Sequence, residues 1–307
     1  MRIVLLIIAT MIWGFGFVAT RWTLNNYDPI WSNSLRFVFA GLFSLPVLLW
    51  KNELRPTLAS GVCSLLLLGG LQLQTVGIRY TTLAKSGFFT TFYAIFTPLL
   101  IAFIFRQRFR LGYWGLLAVS IVGVALLCDL SWSGFNQGDG FILASALLFA
   151  LHIIAIDRLA QDEHPVFFNL QQCLYVGVMG VPLALILSGV PDLSGLWQWE
   201  SLLPPGALAG FLFLSLFSSI GAFTVQVYVQ QQIPAHIVSL IFLTESVFGA
   251  LFGYLFFSEE LSLMGMGGAL LILMSVALVP ILTNYEKKRL SRVDHQSGAA
   301  TESAGSS

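Results

Sequence analysis

Ten apolar stretches follow one another along the chain, each about as long as the roughly 20 residues a helix needs to cross a bilayer core. They cover 3–24, 29–50, 57–80, 83–105, 110–128, 139–159, 165–188, 205–230, 234–256 and 262–283. Such a chain cannot present a water-compatible surface. Only 10% of its 307 residues are charged, against roughly 25% in a soluble domain, and seven of the thirty charges lie in the last 24 residues. The expected fold is all-α and integral to the membrane. The connections are mostly short, such as Lys51–Pro56, and the charged, then Gly/Ala/Ser-rich tail 284–307 reads as disordered. The first apolar stretch is too long for a signal-peptide core and reads as a retained span. A net charge of zero offers no basic face to nucleic acid. Cys63, Cys128 and Cys173 lack metal or disulfide spacing and read as small buried hydrophobes. No cofactor or metal site is expected.

Lys and Arg accumulate at cytoplasmic loop ends. With the N-terminus inside, eleven fall on cytoplasmic ends, including Arg2, Lys51, Arg106, Arg108 and Arg110, and three on outer ends: Arg21, Arg79 and Lys85. Both termini are therefore expected in the cytoplasm, with Ser131–Gln137 and Val190–Pro204 outside. A shift of 136 residues superposes Pro29 and Asn33 on Pro165 and Asn169, and Pro46 on Pro182. A shift of 152 superposes Gly115 on Gly267 and Val124-Ala125-Leu126 on Val276-Ala277-Leu278. The difference fits an insertion around Val190–Pro204. Each repeat holds an odd number of spans, five, so the second is inverted relative to the first. The basic corner Arg106–Arg110 accordingly matches the Glu259-Glu260 corner. The expected organisation is a first repeat over 1–132, an inverted second over 138–283 and the tail. Inverted repeats around a midplane site are typical of secondary transporters.

Several motifs resemble the EamA family of the drug/metabolite transporter superfamily. They are Ala9-x-x-x-Trp13-Gly14-x-x-Phe17, Leu35-Arg36-Phe37, Gly87-Phe88-x-Thr90-x-x-Tyr93 with Pro98, and Leu243-x-Glu245. The likeness runs over residues 3–283. It implies ten transmembrane helices in two inverted five-helix repeats around a central cavity. One departure is Ser246, where the family often has a proline that would kink the ninth span.

Ionisable groups inside spans are costly and face partners or cavities. Glu245 is the twelfth residue of its window and Arg36 the eighth from the outer end of its own, so their depths differ by only about 5 Å and a pair is feasible. Glu245 is expected to meet substrate or a coupled proton, whereas Arg36 leans to a structural role. Under the repeat register Tyr93 matches Glu245 and Gln74 matches Gln226, and the four should converge on one site. Thr90, Thr244 and Trp13 are further cavity candidates, each with an interhelical packing role as the alternative. His152 is a candidate that reads first as a hydrogen-bonded packing residue. Spans five and ten, with no ionisable residue inside, should pack peripherally. Gly206-x-x-x-Gly210 and Gly249-x-x-x-Gly253 read as helix-packing motifs. Arg21, Arg79 and Lys85 are expected to snorkel to the outer interface. Trp31, Trp50, Trp197 and Trp199 are expected in the interfacial belt, and His236 in an unremarkable position at the start of span nine.

The function expected is that of a secondary carrier, without ATP and without catalysis, in a bacterial inner membrane. It would move small organic metabolites by alternating access, an exported amino-acid-like or amphipathic solute among them. One acid and one base suit a zwitterion; with Arg36 structural they suit an amphipathic cation equally. The alternatives are an intramembrane enzyme and a non-transporting scaffold. The chain has no Walker A loop, no H-E-x-x-H and no G-x-S-x-G. Glu259-Glu260 lacks the arginine of an EExxxR motif, with Met264 in its place.

Overall fold

The computed structural model describes residues 1–81, 83–128, 134–197, 206–258 and 260–281. Among the described residues, ten helices occupy the ten windows. They are α1 (Arg2–Leu24), α2 (Pro29–Lys51), α3 (Leu58–Tyr80), α4 (Leu83–Thr90 continuing as Tyr93–Phe105) and α5 (Leu111–Leu127). The second half has α6 (Gln137–Leu159), α7 (Pro165–Ser188), α8 (Ala207–Phe213 to Phe223–Gln230), α9 (Ala235–Phe242 continuing as Thr244–Phe257) and α10 (Leu263–Ile281). Nine are long and apolar enough to cross a membrane, and α5 is a shorter apolar helix of 17 residues. Glu259 and the tail from 282 lie outside the described residues, as does Trp199.

Local chemistry sets the helix ends. Pro29 and Pro165 stand in the first turns of α2 and α7, where a missing N–H costs nothing. The Asp28 carboxylate accepts from the Ile30 and Trp31 amides. Capping boxes start α3, through Thr57 and Ser60, and α6, through Asn136 and Asp139. Phe103, Leu111, Ile186 and Leu263 are 80–89% exposed, apolar surface that only lipid can cover.

The most extensive helix contacts are α2 with α7, α3 with α6 and α1 with α8, followed by α1 with α9. Backbones meet closely in these pairs: a Cβ on Gly177 of α7 would lie 2.7 Å from the Phe37 carbonyl oxygen of α2. Features recur at the shifts read in the sequence. Asn33 donates to Leu71 O and the Thr75 hydroxyl, and Asn169, 136 residues on, donates to Ile220 O and the Thr224 hydroxyl. Left-handed residues end α4 at Arg106 (φ 55°) and α9 at Ser258 (φ 53°), 152 residues apart. Helix α4 is interrupted at 91–92 and α9 at Leu243, again at that spacing. In α9 the interruption forms without proline: the Leu243 amide donates to Leu240 O and the Ser246 amide to Leu243 O, both three residues back.

Two expectations fail. Lys85 does not snorkel. It is 6% exposed, and its Nζ lies 3.1 Å from Asp139 and also donates to Gly134 O. Thr81 donates to the other carboxylate oxygen. A cation at that depth without a carboxylate would be costly, so it pairs instead of reaching water. Trp31 is not a belt residue either: it is 5% exposed and donates to Gly189 O at 2.9 Å. Trp50, at 79% exposure, fits the belt, and Arg21 lies over the Phe257 ring.

Candidate functional site: a central cavity

Helices α1, α2, α3, α4, α6, α8 and α9 line a cavity of about 100 Å³. One water needs about 10–15 Å³ on this measure, so several waters or one small solute fit. Both halves of the chain contribute to it. Among the described residues, α5 and α10 add nothing to its wall. They pack against each other, where a Cβ on Gly123 would lie 2.7 Å from Gly268 O.

The wall holds eight of the nine residues singled out from sequence: Glu245, Tyr93, Gln74, Gln226, Trp13, Arg36, His152 and Thr90. Thr244 is the ninth, and it is turned elsewhere. It is buried, donates to Ile241 O, and shares a 2.8 Å hydrogen bond with Thr10 of α1. Two of the wall residues touch directly, Gln74 donating to the Thr90 hydroxyl at 3.3 Å. Gln226 instead donates to Gln230 at 2.7 Å. The His152 ring shares a 2.9 Å bond with Gln172 and meets Phe223 edge-on.

Arg36 and Glu245 do not form an ion pair. Arg36 is 6% exposed and directs Nε to the Ser219 hydroxyl at 2.7 Å and a terminal nitrogen to the Ser218 hydroxyl at 2.8 Å. Its backbone carbonyl accepts from Ser215. Glu245 stands in the first turn after the α9 interruption, half-buried, facing the cavity. No protein group among the described residues hydrogen-bonds its carboxyl. The Arg36 charge still acts on it through space. The site thus has one anchored cation and one unattached acid.

The anchor for Arg36 is a π-helical stretch of α8, Leu214–Ala222, which sequence reasoning missed. Its wide turn frees backbone oxygens from helical partners. Ser218 O accepts from Trp13 Nε1 at 3.4 Å, and Ser219 O from Asn169 at 3.0 Å. The serine cluster Ser215, Ser218, Ser219 was the available signal. Phe223 and Phe242 were also missed. Their rings flank Trp13 with centroids 5.0 and 4.9 Å away. Among 26 phenylalanines in apolar helices nothing local marked them out.

Ten helices with a lipid-facing apolar surface, surrounding a polar cavity built from both halves of the chain, define a multi-pass membrane protein with a solute-sized interior site. The model of the EamA-like transporter family matches residues 1–128 and 136–280, and the chain belongs to that family. It is similar to an uncharacterized transporter of Archaeoglobus fulgidus, 26% identical over 90% of this chain and 84% of that protein. It is also similar to the uncharacterized inner membrane transporter YedA of Escherichia coli K12, 26% identical over 71% of this chain and 70% of the other. A solved crystal structure superposes with a TM-score of 0.74 at 18% identity, over 92% of this chain and 98% of that one, a likeness of fold. The protein is a membrane transporter.

Proposed function

We propose that this transporter is a secondary carrier that moves small organic solutes by alternating access around the central cavity, and not an intramembrane enzyme. The observation that carries the reading is the unattached Glu245 carboxyl in a cavity walled by both halves of the chain. A carboxyl that deep is costly unless a cation or proton meets it during the working cycle. The first half, 1–132, and the second, 138–283, act as inverted repeats. The matched asparagine clamps, the paired helix interruptions and the matched left-handed helix ends support this. Such repeats give a carrier two related states by rocking about a fixed midplane site. The excess of Lys and Arg at one end supports a cytoplasmic location for both termini. The kinship with an inner membrane transporter agrees with a bacterial inner-membrane location.

Counterflow in proteoliposomes tests the reading. Vesicles preloaded with unlabelled solute should transiently concentrate the labelled solute, across amino acids, nucleosides and organic cations. Flux that never shows counterflow or saturation would identify a channel, and no flux for any solute class would support a scaffold. Product formed without transport would point to an enzyme.

A further inference from the structure

The central cavity is not closed on itself. Phe17, Thr90, Tyr93 and Glu245 line it and also line a second cavity of about 330 Å³. This side pocket lies between α1, α4 and α9 and runs from Glu245 to the bundle end where α9 finishes at Phe257. Small residues make its room: Gly87 on α4, and Gly249, Ala250 and Gly253 on α9. Leu127 and Cys128 close it from the end of α5, and Glu260 stands exposed at its mouth. Arg21 lies over the ring of Phe257, a residue of the pocket wall, at 4.4 Å. Thr91, on the pocket wall, spends its hydroxyl proton on Phe88 O. Between its two carboxylates the wall is therefore largely apolar.

The junction has a distinct chemistry. Glu245 faces the space without a protein partner, and six aromatic residues share the central wall with it: Trp13, Phe17, Tyr93, Phe149, Phe223 and Phe242. Ring faces attract cations, and aromatic enclosures suit alkylated ammonium groups in particular. Arg36 is the cation on that wall, and two of its donors are committed to Ser218 and Ser219. An anionic ligand would find that one partly engaged donor group, whereas a cationic one finds a free carboxylate and a ring enclosure.

Building on the carrier reading of the cavity, we infer that the substrate is an organic cation with an apolar substituent. Its charged centre sits against Glu245 among the aromatic rings, and its apolar part lies in the side pocket between α4 and α9. The zwitterion, an amino acid with its carboxylate on Arg36, is the competing occupant.

The native thiols provide the measurement. Cys128 lines the side pocket, whereas Cys63 and Cys173 are 0% exposed elsewhere. In a Cys63→Ala, Cys173→Ala protein, Cys128 alone reports occupancy through its rate of alkylation by N-ethylmaleimide. The probes are tetramethylammonium, butyltrimethylammonium and hexyltrimethylammonium, with leucine as the zwitterion. Affinity should tighten about fourfold for each methylene taken into the pocket, and only the longer tails should shield Cys128. Gly87→Val projects into the pocket, where an added Cβ meets only the Cys128 sulfur, 3.9 Å away. It should reduce the preference for hexyl over methyl at least tenfold. Ala250→Leu provides the same obstruction should that variant misfold. Glu245→Gln should weaken every cation together. Leucine binding more tightly than the cations, or affinity indifferent to tail length, would overturn the inference. Counterflow of the same probes separates the two proposals. Cations that bind and shield Cys128 without counterflow sink the carrier reading while the ligand assignment stands. Leucine counterflow without cation binding does the reverse.

Discussion

Arg36 and Glu245 share one cavity but stand in opposite situations, and their substitutions should separate accordingly. Glu245 has no protein partner to lose, so Glu245→Gln should leave the thermal midpoint of the purified protein nearly unchanged while transport per folded molecule collapses. Arg36→Gln removes two hydrogen bonds from a charged donor to buried serines, each worth about 1.5–3 kcal/mol. Folded yield and thermal midpoint should drop clearly, with substrate preference altered less. If Glu245→Gln transports like the parent at every pH, the carboxyl is structural. Most of the polar wall was legible in the sequence, because Gln74, Gln226, His152 and Glu245 are conspicuous among apolar neighbours. Thr244 misled for a reason of geometry: next to Glu245 in sequence, it points about 100° away around the helix and bonds Thr10. The serines holding Arg36 were obscure because small hydroxyls are common in membrane helices and satisfy themselves on their own backbone.

At the scale of elements, helix positions followed from apolar length, since lipid imposes that length on every span. The interruptions in α4 and α9 and the π-helical stretch of α8 did not. No proline marks any of these three sites, and their irregular hydrogen bonding depends on neighbours such as Arg36, Trp13 and Asn169. Lys85 and Asp139 give a test at this scale, because their pair ties α4 to α6. Both side chains are at most 8% exposed. Removing one partner of a buried pair costs about 3–5 kcal/mol. Lys85→Met should therefore lower the thermal midpoint strongly, and the double variant Lys85→Met, Asp139→Asn should recover much of the loss. Equal losses in the single and double variants would show that the two charges are not coupled.

For the whole molecule, the proposed orientation predicts which face each loop shows. In a protein whose native cysteines are replaced by Ala, Val190→Cys should react with an impermeant thiol reagent on intact cells. Glu53→Cys and Gln107→Cys should react only after permeabilisation, and the reverse pattern would invert the topology. The Lys85–Asp139 pair also bears on how the chain is made. Its members are 54 residues apart and belong to different halves. At about 5–20 residues per second, synthesis delivers Asp139 some 3–11 s after Lys85. Throughout that interval the newborn first half holds an ammonium group without the carboxylate that will neutralise it. The early helices therefore have reason to stay beside the insertion machinery, or to keep α4 near its polar edge, until α6 arrives. Assembly becomes a timed event in which the second half completes the first, and a stop codon after residue 132 would strand a fragment fit for degradation.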